Sequence, residues 1–465
     1  MKRLFAFSLA LLLATLSAII TRADDGTLKL PPFKKVKLRN GMTILLMEQH
    51  EVPLISFNVM VKAGSVADPA GKEGVASVTA ELLRKGTRTR SADQLAGELD
   101  FIGGALGAFA TFDYTGANAE FVKKDISKGL DLLSDVLLNP QFPKEEVTKL
   151  LAQRIDGIKG AKDQAQAVIG NYFSAYLYGN HPYGRPSAGD ERSLAAITRD
   201  DIQKFYQTYY SPSNTSLAVV GDFSSGEMER MLTEKFGGWA AGPAPAVTTP
   251  DATPFSGRKL LLVDKPDSTQ TFFVVGNVGI KRTNPDRVFI NVINTLFGGR
   301  FTSMLNSELR IKSGLTYGAR SSFSERKAPG PFSISTFTRN ETTEKAIDLM
   351  LDVIKRLHEK GITEEELKSA KAYIKGQFPP TIETNDQLAG TLVQFDLYGL
   401  DESEINGLYA KIDSMTLADA QRVIKQYFPL DNLVFVLIGK AEEVKKVAQK
   451  YAQKLDSKSI NQPGF

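Results

Sequence analysis

The sequence TSLAVVG at residues 215–221 and the sequence LVFVLIG at residues 433–439 occupy corresponding places in a chain of 465 residues. Both are short apolar runs that precede a helical pattern, which is typical of a buried β-strand. The residues around them recur at a constant separation of 218 positions, which predicts a duplicated domain. The recurring residues are Thr198, Asp201, Gln203, Tyr209, Asn214 and Gly221 in the first copy and Thr416, Asp419, Gln421, Tyr427, Asn432 and Gly439 in the second.

The two copies also match further upstream, where the separation between equivalent residues changes by a few positions. The runs at 54–63 and 271–279 both have the composition of strands. Within them, Phe57 is matched with Phe272, at a separation of 215 positions. Drift of a few positions is expected where loops of a duplicated domain have changed length.

A proline-rich segment separates the two copies, and its apolar residues do not recur with the period of a helix or a strand. We predict a linker at 241–256 between repeats at 24–240 and 257–465, each of about 210 residues. Strands and helices mix without strict β-α-β alternation, so the predicted class is α+β, with two homologous α/β-sandwich repeats. Two copies of this length favour paired domains that face each other. The linker prolines are Pro243, Pro245, Pro250 and Pro254.

The first 23 residues have the pattern of a secretory signal. Lys2 and Arg3 precede an apolar run at 4–20, and Ala23 offers a small residue for cleavage. We predict a signal peptide at 1–23 and a periplasmic or secreted bacterial protein without a membrane span after cleavage. An uncleaved membrane anchor is the alternative. The absence of cysteine excludes disulfides and thiolate metal sites, and it is compatible with a periplasm.

The charge pattern gives no reason to expect a nucleic-acid partner. The chain has 57 Lys and Arg residues and 53 Asp and Glu residues, a formal net charge of +4. Three of the positive charges lie in the first 23 residues, so the remainder is nearly neutral. No basic stripe is left to bind phosphates.

The sequence GVASVTAELLRKGT at 74–87 predicts a helix that begins after a glycine and ends at a glycine. Val75, Val78 and Leu82 form an apolar stripe on one side of it. Ser77 and Glu81 are four residues apart and share another face of the helix, where two suitable ligands could bind one zinc ion. A hydroxyl and a single carboxylate cannot make a tight zinc site, and the three histidines of the chain lie far apart in sequence.

The frame around this helix resembles the pitrilysin/insulinase family of zinc peptidases, which carry the inverted motif H-x-x-E-H here. The resemblance places the two lost histidines at Ser77 and Glu81, the lost catalytic glutamate at Ala80 and the lost third ligand at Gly157. It therefore implies no metal in this chain, with zinc in a homologous partner subunit. The matching residues are Gly74-x-Ala76, Lys85-Gly-Thr87, Asp93-Gln-Leu95, Gly103-Gly104, His181-Pro-Tyr-Gly184 and Val219-Val-Gly-Asp222.

A second family element, at 298–317, is intact. It keeps the pattern Leu-Arg-…-Gly-Leu-x-Tyr, which gives Arg310 and Tyr317. The resemblance implies that this pair reaches across a chamber to substrate in the active site. Guanidinium and phenol groups are both donors that can stabilise a carbonyl oxygen as it gains charge. Without the family frame, a solvent-exposed Arg and a core Tyr would be the ordinary interpretation.

The glycine- and alanine-rich run at 103–111 predicts an edge strand that could bind an extended peptide by β-augmentation. A glycine-rich turn into a packed strand is the alternative. The predicted substrate-binding residues are Gly107, Ala108, Phe109, Ala110 and Thr111.

Together these features predict the non-zinc-binding subunit of a heterodimeric zinc endopeptidase that degrades unfolded peptides. The chain would form half of a clam-like chamber, inactive alone, and would supply Arg310 and Tyr317 to the partner's site. The alternative is an inert peptide-binding or scaffold protein of the same fold. A homodimer of the isolated chain is also possible.

Overall fold

The computed structural model describes residues 28–242 and 245–465. The predicted signal peptide at 1–23 and Pro243 of the predicted linker lie outside the described residues. No regular secondary structure is present between Phe236 and Arg258 in the part of this segment that is described.

The strands are β1 (Lys34–Lys37), β2 (Thr43–Glu48), β3 (Leu54–Val61), β4 (Ala105–Ala110), β5 (Thr115–Val122), β6 (Thr215–Gly221), β7 (Arg258–Asp264), β8 (Gln270–Val278), β9 (Arg320–Phe323), β10 (Pro331–Arg339), β11 (Leu433–Gly439) and β12 (Lys454–Ser459). The α-helices are α1 (Val75–Leu82), α2 (Ala92–Phe101), α3 (Ile126–Leu138), α4 (Lys144–Ala161), α5 (Ala165–Tyr178), α6 (Glu191–Ala196), α7 (Arg199–Tyr209), α8 (Ser225–Phe236), α9 (Arg287–Asn294), α10 (Met304–Asn306), α11 (Thr343–Lys360), α12 (Glu364–Gln377), α13 (Asn385–Tyr398), α14 (Ser403–Asn406), α15 (Leu408–Ser414), α16 (Leu417–Tyr427) and α17 (Ala441–Ala448).

The strands form two six-stranded sheets of the same design. The first has the order β1-β2-β6-β3-β5-β4 and the second the order β12-β7-β11-β8-β10-β9. The predicted α+β fold with two homologous repeats is therefore confirmed. The sheets differ at one edge, because β1 pairs with β2 antiparallel whereas β12 pairs with β7 parallel.

The sheet register corrects one match between the repeats. Val219 and Leu437 are equivalent at the spacing of 218, and Phe57 lies opposite Val219 while Phe273 lies opposite Leu437. The match of Phe57 with Phe272 is thus wrong by one residue. Phe57 and Phe273 are both fully buried, whereas Phe272 is half-buried on the other face. Neighbouring residues of a strand point to opposite faces, so the buried face fixes the equivalence.

One face of each sheet packs against helices of its own repeat. In the first repeat Phe57 lies in a core with the predicted stripe of α1, Val75, Val78 and Leu82. The second sheet has a separate core of the same kind around Phe273. Full burial of each such apolar side chain contributes about 1.5–3 kcal/mol.

The other face of each sheet is covered by a helix from the opposite repeat. Helix α5 of the first repeat packs Val168 and Tyr172 against β8 and β11. Helix α13 of the second repeat packs Leu388 and Leu392 against β3 and β6. Each repeat thus completes the core of the other. None of the described helices has both the length and the apolar character that crossing a bilayer requires.

A buried carboxylate fixes α13 on the first sheet. Asp396 accepts hydrogen bonds from Lys35 at 2.9 Å and from Ser216 at 2.6 Å, and it pairs with Lys62 at 2.6 Å. Its side chain is only 10% exposed. Although burial acts in the opposite direction, these donors hold the pKa of Asp396 well below its usual range.

Asp396→Asn keeps the size of this side chain but removes the charge that faces Lys35 and Lys62. We expect the free energy of unfolding at pH 7 to fall by about 1–3 kcal/mol. Because the folded-state pKa is depressed, the stabilisation is complete above the unfolded pKa, near 4, and is lost as pH falls through the folded value. The difference between the two proteins should therefore shrink from about pH 4 to pH 2 in urea titrations followed by circular dichroism.

Asp156→Asn is the matched control, because Asp156 is an exposed carboxylate on α4. It should change the free energy of unfolding by less than about 0.5 kcal/mol. Equal effects of the two substitutions at pH 7 would contradict the assignment.

Candidate functional site

Helix α1 carries the positions of the predicted lost metal site, and a buried aspartate fixes its start. Gly74 precedes the helix with φ of 98°, and a side chain there would meet the backbone of Gly189 at 2.9 Å. The carboxylate of Asp68 accepts hydrogen bonds from the backbone N–H groups of Gly74 at 2.7 Å and Ala76 at 2.9 Å. Burial raises the pKa of Asp68 to about 8 against the opposing effect of these two bonds, and the oxygens of the carboxyl group satisfy amides that the helix leaves unpaired. The helix therefore keeps its frame without metal ligands.

The face of α1 where a metal would bind is filled by an arginine from α4. Arg154 donates through Nη1 to Oγ of Ser77 at 2.9 Å and through Nη2 to Oε2 of Glu81 at 2.6 Å. Ala80 between them is fully buried. Gly157 on α4 is exposed and offers no side chain. A fixed positive charge thus joins the two positions that would hold metal ligands and neutralises Glu81.

Sequence reasoning did not single out Arg154. It lies three positions before Gly157, so it shares a face of α4 with the predicted third ligand position, one turn earlier. A basic residue one turn from a lost acidic ligand is the signal that could have identified it.

Arg310 and Tyr317 lie together in the second repeat. Both line a cavity of about 310 Å³, with Arg300, Phe301 and Tyr373. The guanidinium of Arg310 lies 4.8 Å from the ring centroid of Phe301, and the Tyr317 side chain is 80% exposed. Among the described residues the Phe301 ring is the contact of the Arg310 guanidinium, and Tyr317 is largely open to solvent. Both groups are thus available to a ligand.

The segment that carries Arg310 has unusual backbone geometry. Ser307–Lys312 and the nearby Thr295–Gly299 are both π-helical turns. Such turns are rare in proteins, and where they occur they often lie at functional sites. The carboxylate of Glu308 accepts from Lys312 at 2.8 Å and from Arg356 at 3.1 Å, which fixes the turn that presents Arg310.

The loop that carries Tyr317 is tied to β10 on both sides of the tyrosine. Thr338 Oγ1 donates to the carbonyl of Leu315 at 2.7 Å, and Thr336 Oγ1 donates to the carbonyl of Gly318 at 2.9 Å. The exposed phenol is therefore held in a defined place.

The predicted peptide-binding run forms the edge strand β4 of the first sheet. Gly107, Ala108, Phe109 and Ala110 lie in the strand, while Thr111 lies in the following turn and donates to the carbonyl of Tyr114 at 3.0 Å. The adjacent carbonyl of Leu106 accepts from Arg84 Nη1 at 2.8 Å, so it is already occupied. β4 lies in the first repeat and does not contribute to the cavity of Arg310 and Tyr317. A role in substrate binding stays a prediction.

Comparison with known proteins identifies the family. Residues 43–191 match the family described as Insulinase (Peptidase family M16), and residues 196–374 match the Peptidase M16 inactive domain. The protein belongs to the insulinase (M16) family of peptidases. The family resemblance drawn from the residues is confirmed.

Relatives within the M16 family extend over most of the chain. An uncharacterized zinc protease of Bacillus subtilis is 25% identical over 86% of this chain and 96% of its own. A similarly described protein of Rickettsia bellii is 27% identical over 74% of this chain and 82% of its own. The crystal structure of a peptidase M16 inactive domain from Pseudomonas fluorescens superposes with a TM-score of 0.83 at 27% identity, covering 88% of this chain and 98% of that chain.

The zinc ion that the names of these M16 relatives imply does not fit the residues of this chain. Ser77 is a poor ligand, and Glu81 is already paired with the Arg154 cation. Within residues 28–242 and 245–465, no group of three or more His, Cys, Asp or Glu side chains is placed to hold a metal ion. No step of a reaction can therefore be assigned to a zinc ion at α1.

Metal analysis of the purified protein tests this conclusion. After incubation with one equivalent of Zn²⁺ and dialysis, we expect less than about one zinc per ten chains by mass spectrometry. Arg154→Ala should also remain metal-free, because removal of the cation leaves only one strong ligand at this face. Stoichiometric zinc in the unmodified protein would contradict the site as described.

Proposed function

We propose that this M16 protein is the non-zinc-binding subunit of a two-chain metallo-endopeptidase that degrades unfolded peptides. The observation that carries the proposal is the contrast between its two repeats. The first repeat has an arginine where a metal would bind, whereas the second presents Arg310 and Tyr317 in an open cavity. A homologous partner with an intact H-x-x-E-H motif would supply the zinc ion.

In this proposal Arg310 and Tyr317 act in the partner's site. Both are hydrogen-bond donors, and Arg310 also carries a permanent positive charge. Placed at the carbonyl oxygen of the bond to be cleaved, they stabilise the negative charge that develops there. The hydrogen bonds that hold the Tyr317 loop at the carbonyls of Leu315 and Gly318 support this role, because fixed donors need little reorganisation during the reaction.

The edge strand β4 supports a role in holding the peptide. Its outer edge has no neighbouring strand among the described residues, so an extended peptide can add there through backbone groups other than the Leu106 carbonyl, which Arg84 occupies. Gly107 and Ala108 have little or no side chain to obstruct such a peptide. The proposal places this strand in the wall of a chamber that the two subunits enclose, in the periplasm or outside the cell.

An inert peptide-binding or scaffold protein is the second candidate. The ion pair between Arg154 and Glu81 on α1 favours the scaffold. A chain whose metal-binding face is stabilised in this way can fold and bind peptides without taking part in catalysis. The two candidates differ in what they require of Tyr317. A scaffold has no need of an exposed phenol at one fixed place, whereas an endopeptidase subunit does.

Tyr317→Phe tests the proposal in a mixture of this protein with the zinc-binding M16 subunit of the same organism. Loss of one oxyanion donor costs about 3 kcal/mol, so we expect peptide turnover to fall roughly a hundredfold or more. Co-elution of the two subunits in size-exclusion chromatography should not change, because the variant removes one hydroxyl.

Tyr427→Phe is the matched control, since it removes a phenol hydroxyl that bonds Asp286 outside this cavity. It should leave turnover within about twofold. Unchanged turnover in Tyr317→Phe, with the complex intact, would exclude the catalytic role and favour the scaffold.

A further inference from the structure

The cavity of about 310 Å³ that contains Arg310 and Tyr317 carries more positive charge than a single carbonyl oxygen requires. Arg300 and Arg320 line it together with Arg310, and no acidic side chain lines it in the part of the chain that the structure describes. Guanidinium groups stay protonated at physiological pH, so three positive charges lie around one small space. Like charges repel each other, and a bound anion offsets that repulsion.

The acidic side chain two residues from Arg310 is engaged outside the cavity. Glu308 accepts hydrogen bonds from Lys312 at 2.8 Å and from Arg356 at 3.1 Å. These bonds hold the pKa of Glu308 below its usual value, so the carboxylate stays ionised and paired with its own two cations. The arginines of the cavity are therefore left for an anion that comes from outside the chain.

A buried asparagine holds the walls of the cavity together. Nδ2 of Asn306 donates to the carbonyl of Phe301 at 2.6 Å, and Oδ1 of Asn306 accepts from the backbone N–H of Ala319 at 3.3 Å. These two bonds join the segment of Arg300 to the segment of Arg320. The walls are therefore set before a ligand binds, which lowers the entropy cost of binding.

Arg300 is held by the helix that forms the far wall. Its Nη1 donates to Oγ of Ser369 on α12 at 3.0 Å, and its guanidinium carbon lies 5.9 Å from the ring centroid of Tyr373 on the same helix. The aromatic ring and the hydroxyl leave the positive charge of Arg300 without a negative partner on this wall.

Arg320 lies beside the segment that carries Arg300. It begins strand β9 and is exposed. A Cβ on Gly298 would meet the backbone nitrogen of Ser321 at 2.5 Å, so the two segments are in direct contact. Arg320 and Tyr317 also both line a larger cavity of about 600 Å³. A peptide bound at Tyr317 therefore lies next to Arg320 as well.

We propose that this cavity selects peptides with an aspartate or glutamate within two residues of the bond that is cleaved, and that Arg300 and Arg320 attract its carboxylate. A space of about 310 Å³ spans about 7 Å, roughly two residues of extended chain. A carbonyl at Arg310 and Tyr317 thus leaves the adjacent side chains in the cavity. Guanidinium groups suit carboxylates, because two parallel N–H donors match the two oxygens.

The inference rests on the proposed function in taking a peptide as the ligand and in placing the cleaved bond at Arg310 and Tyr317. Three cations in one cavity do not make the extended basic stripe that a nucleic-acid backbone requires. We therefore favour an acidic peptide, and a nucleic acid becomes an outcome of the test.

Fluorescence anisotropy with the purified protein alone tests the inference. The probes are labelled, end-blocked octapeptides Gly-Ser-Phe-X-X-Phe-Ser-Gly in which both X residues are Glu, Gln or Lys. We expect the Glu peptide to bind about tenfold or more tightly than the Gln peptide, as a charge-assisted hydrogen bond would give. The Lys peptide should bind no more tightly than the Gln peptide.

Arg320→Gln should remove most of the preference for Glu, and Arg300→Gln should act in the same direction. Arg339→Gln is the matched control, because Arg339 is an exposed arginine of the same sheet that does not line the cavity. It should leave the affinity for the Glu peptide within about twofold.

Turnover in the mixture with the zinc-binding subunit separates specificity from structure. Arg320→Gln should lower kcat/KM for the Glu peptide about tenfold and leave that for the Gln peptide within about twofold. A purely structural effect of Arg320→Gln would lower both values, as Tyr317→Phe should.

Equal affinity of the protein for the Glu and Gln peptides, or no measurable binding of either, would overturn the inference. So would equal effects of Arg320→Gln and Arg339→Gln on binding. Tighter binding of a labelled ten-nucleotide thymidine strand than of the Glu peptide, abolished by Arg320→Gln, would also overturn it. If the mixture shows no turnover, the proposed function fails while the binding result still decides the inference.

Discussion

The exchange of helices between the repeats is the constraint on which the rest of the structure depends. Helix α5 closes the outer face of the second sheet and α13 closes that of the first, so neither sheet is fully covered by its own repeat. Separation of the repeats would expose both apolar faces to water. Asp396 adds a polar tie, because its charge is shared with two lysines of the first repeat. The same exchange makes α5 one wall of a cavity of about 600 Å³ whose other walls are β8, β9 and β10.

The framework of the first repeat is held by apolar packing and by hydrogen bonds at both the start and the polar face of α1. The apolar stripe of α1 is buried in the core, and the Asp68 cap holds the start of the helix. Neither depends on a metal. Arg154 gives Ser77 and Glu81 a positive partner, so the polar face is satisfied by a side chain of the chain itself. Helix α1 thus keeps its frame while Arg154 supplies the positive charge beside Glu81.

Much of the fold could be predicted from the sequence because its signals are local. The repeated strands at 215–221 and 433–439 and the stripe of α1 follow from short-range periodicity. The exchange of α5 and α13 could not be predicted, since apolar residues on a helix do not specify which sheet they cover.

The site was predicted unevenly for the same reason. The neighbourhood of Arg310 and Tyr317 follows from a motif of only nine residues, 309–317. The contact of Arg154 with Ser77 and Glu81 depends on the relative rotation of two helices, which no local pattern in the sequence specifies. The match of Phe57 with Phe272 was wrong by one residue because identical residue types were aligned without regard to the strand face that each side chain occupies.

The most direct test of the central claim is peptide hydrolysis measured across mixtures of this protein with the H-x-x-E-H subunit at constant total concentration. The account predicts negligible hydrolysis by this protein alone and a maximum rate at equimolar composition, with zinc found only in the other subunit. Hydrolysis by this protein alone, or a rate that follows the amount of the zinc subunit without a maximum, would contradict it.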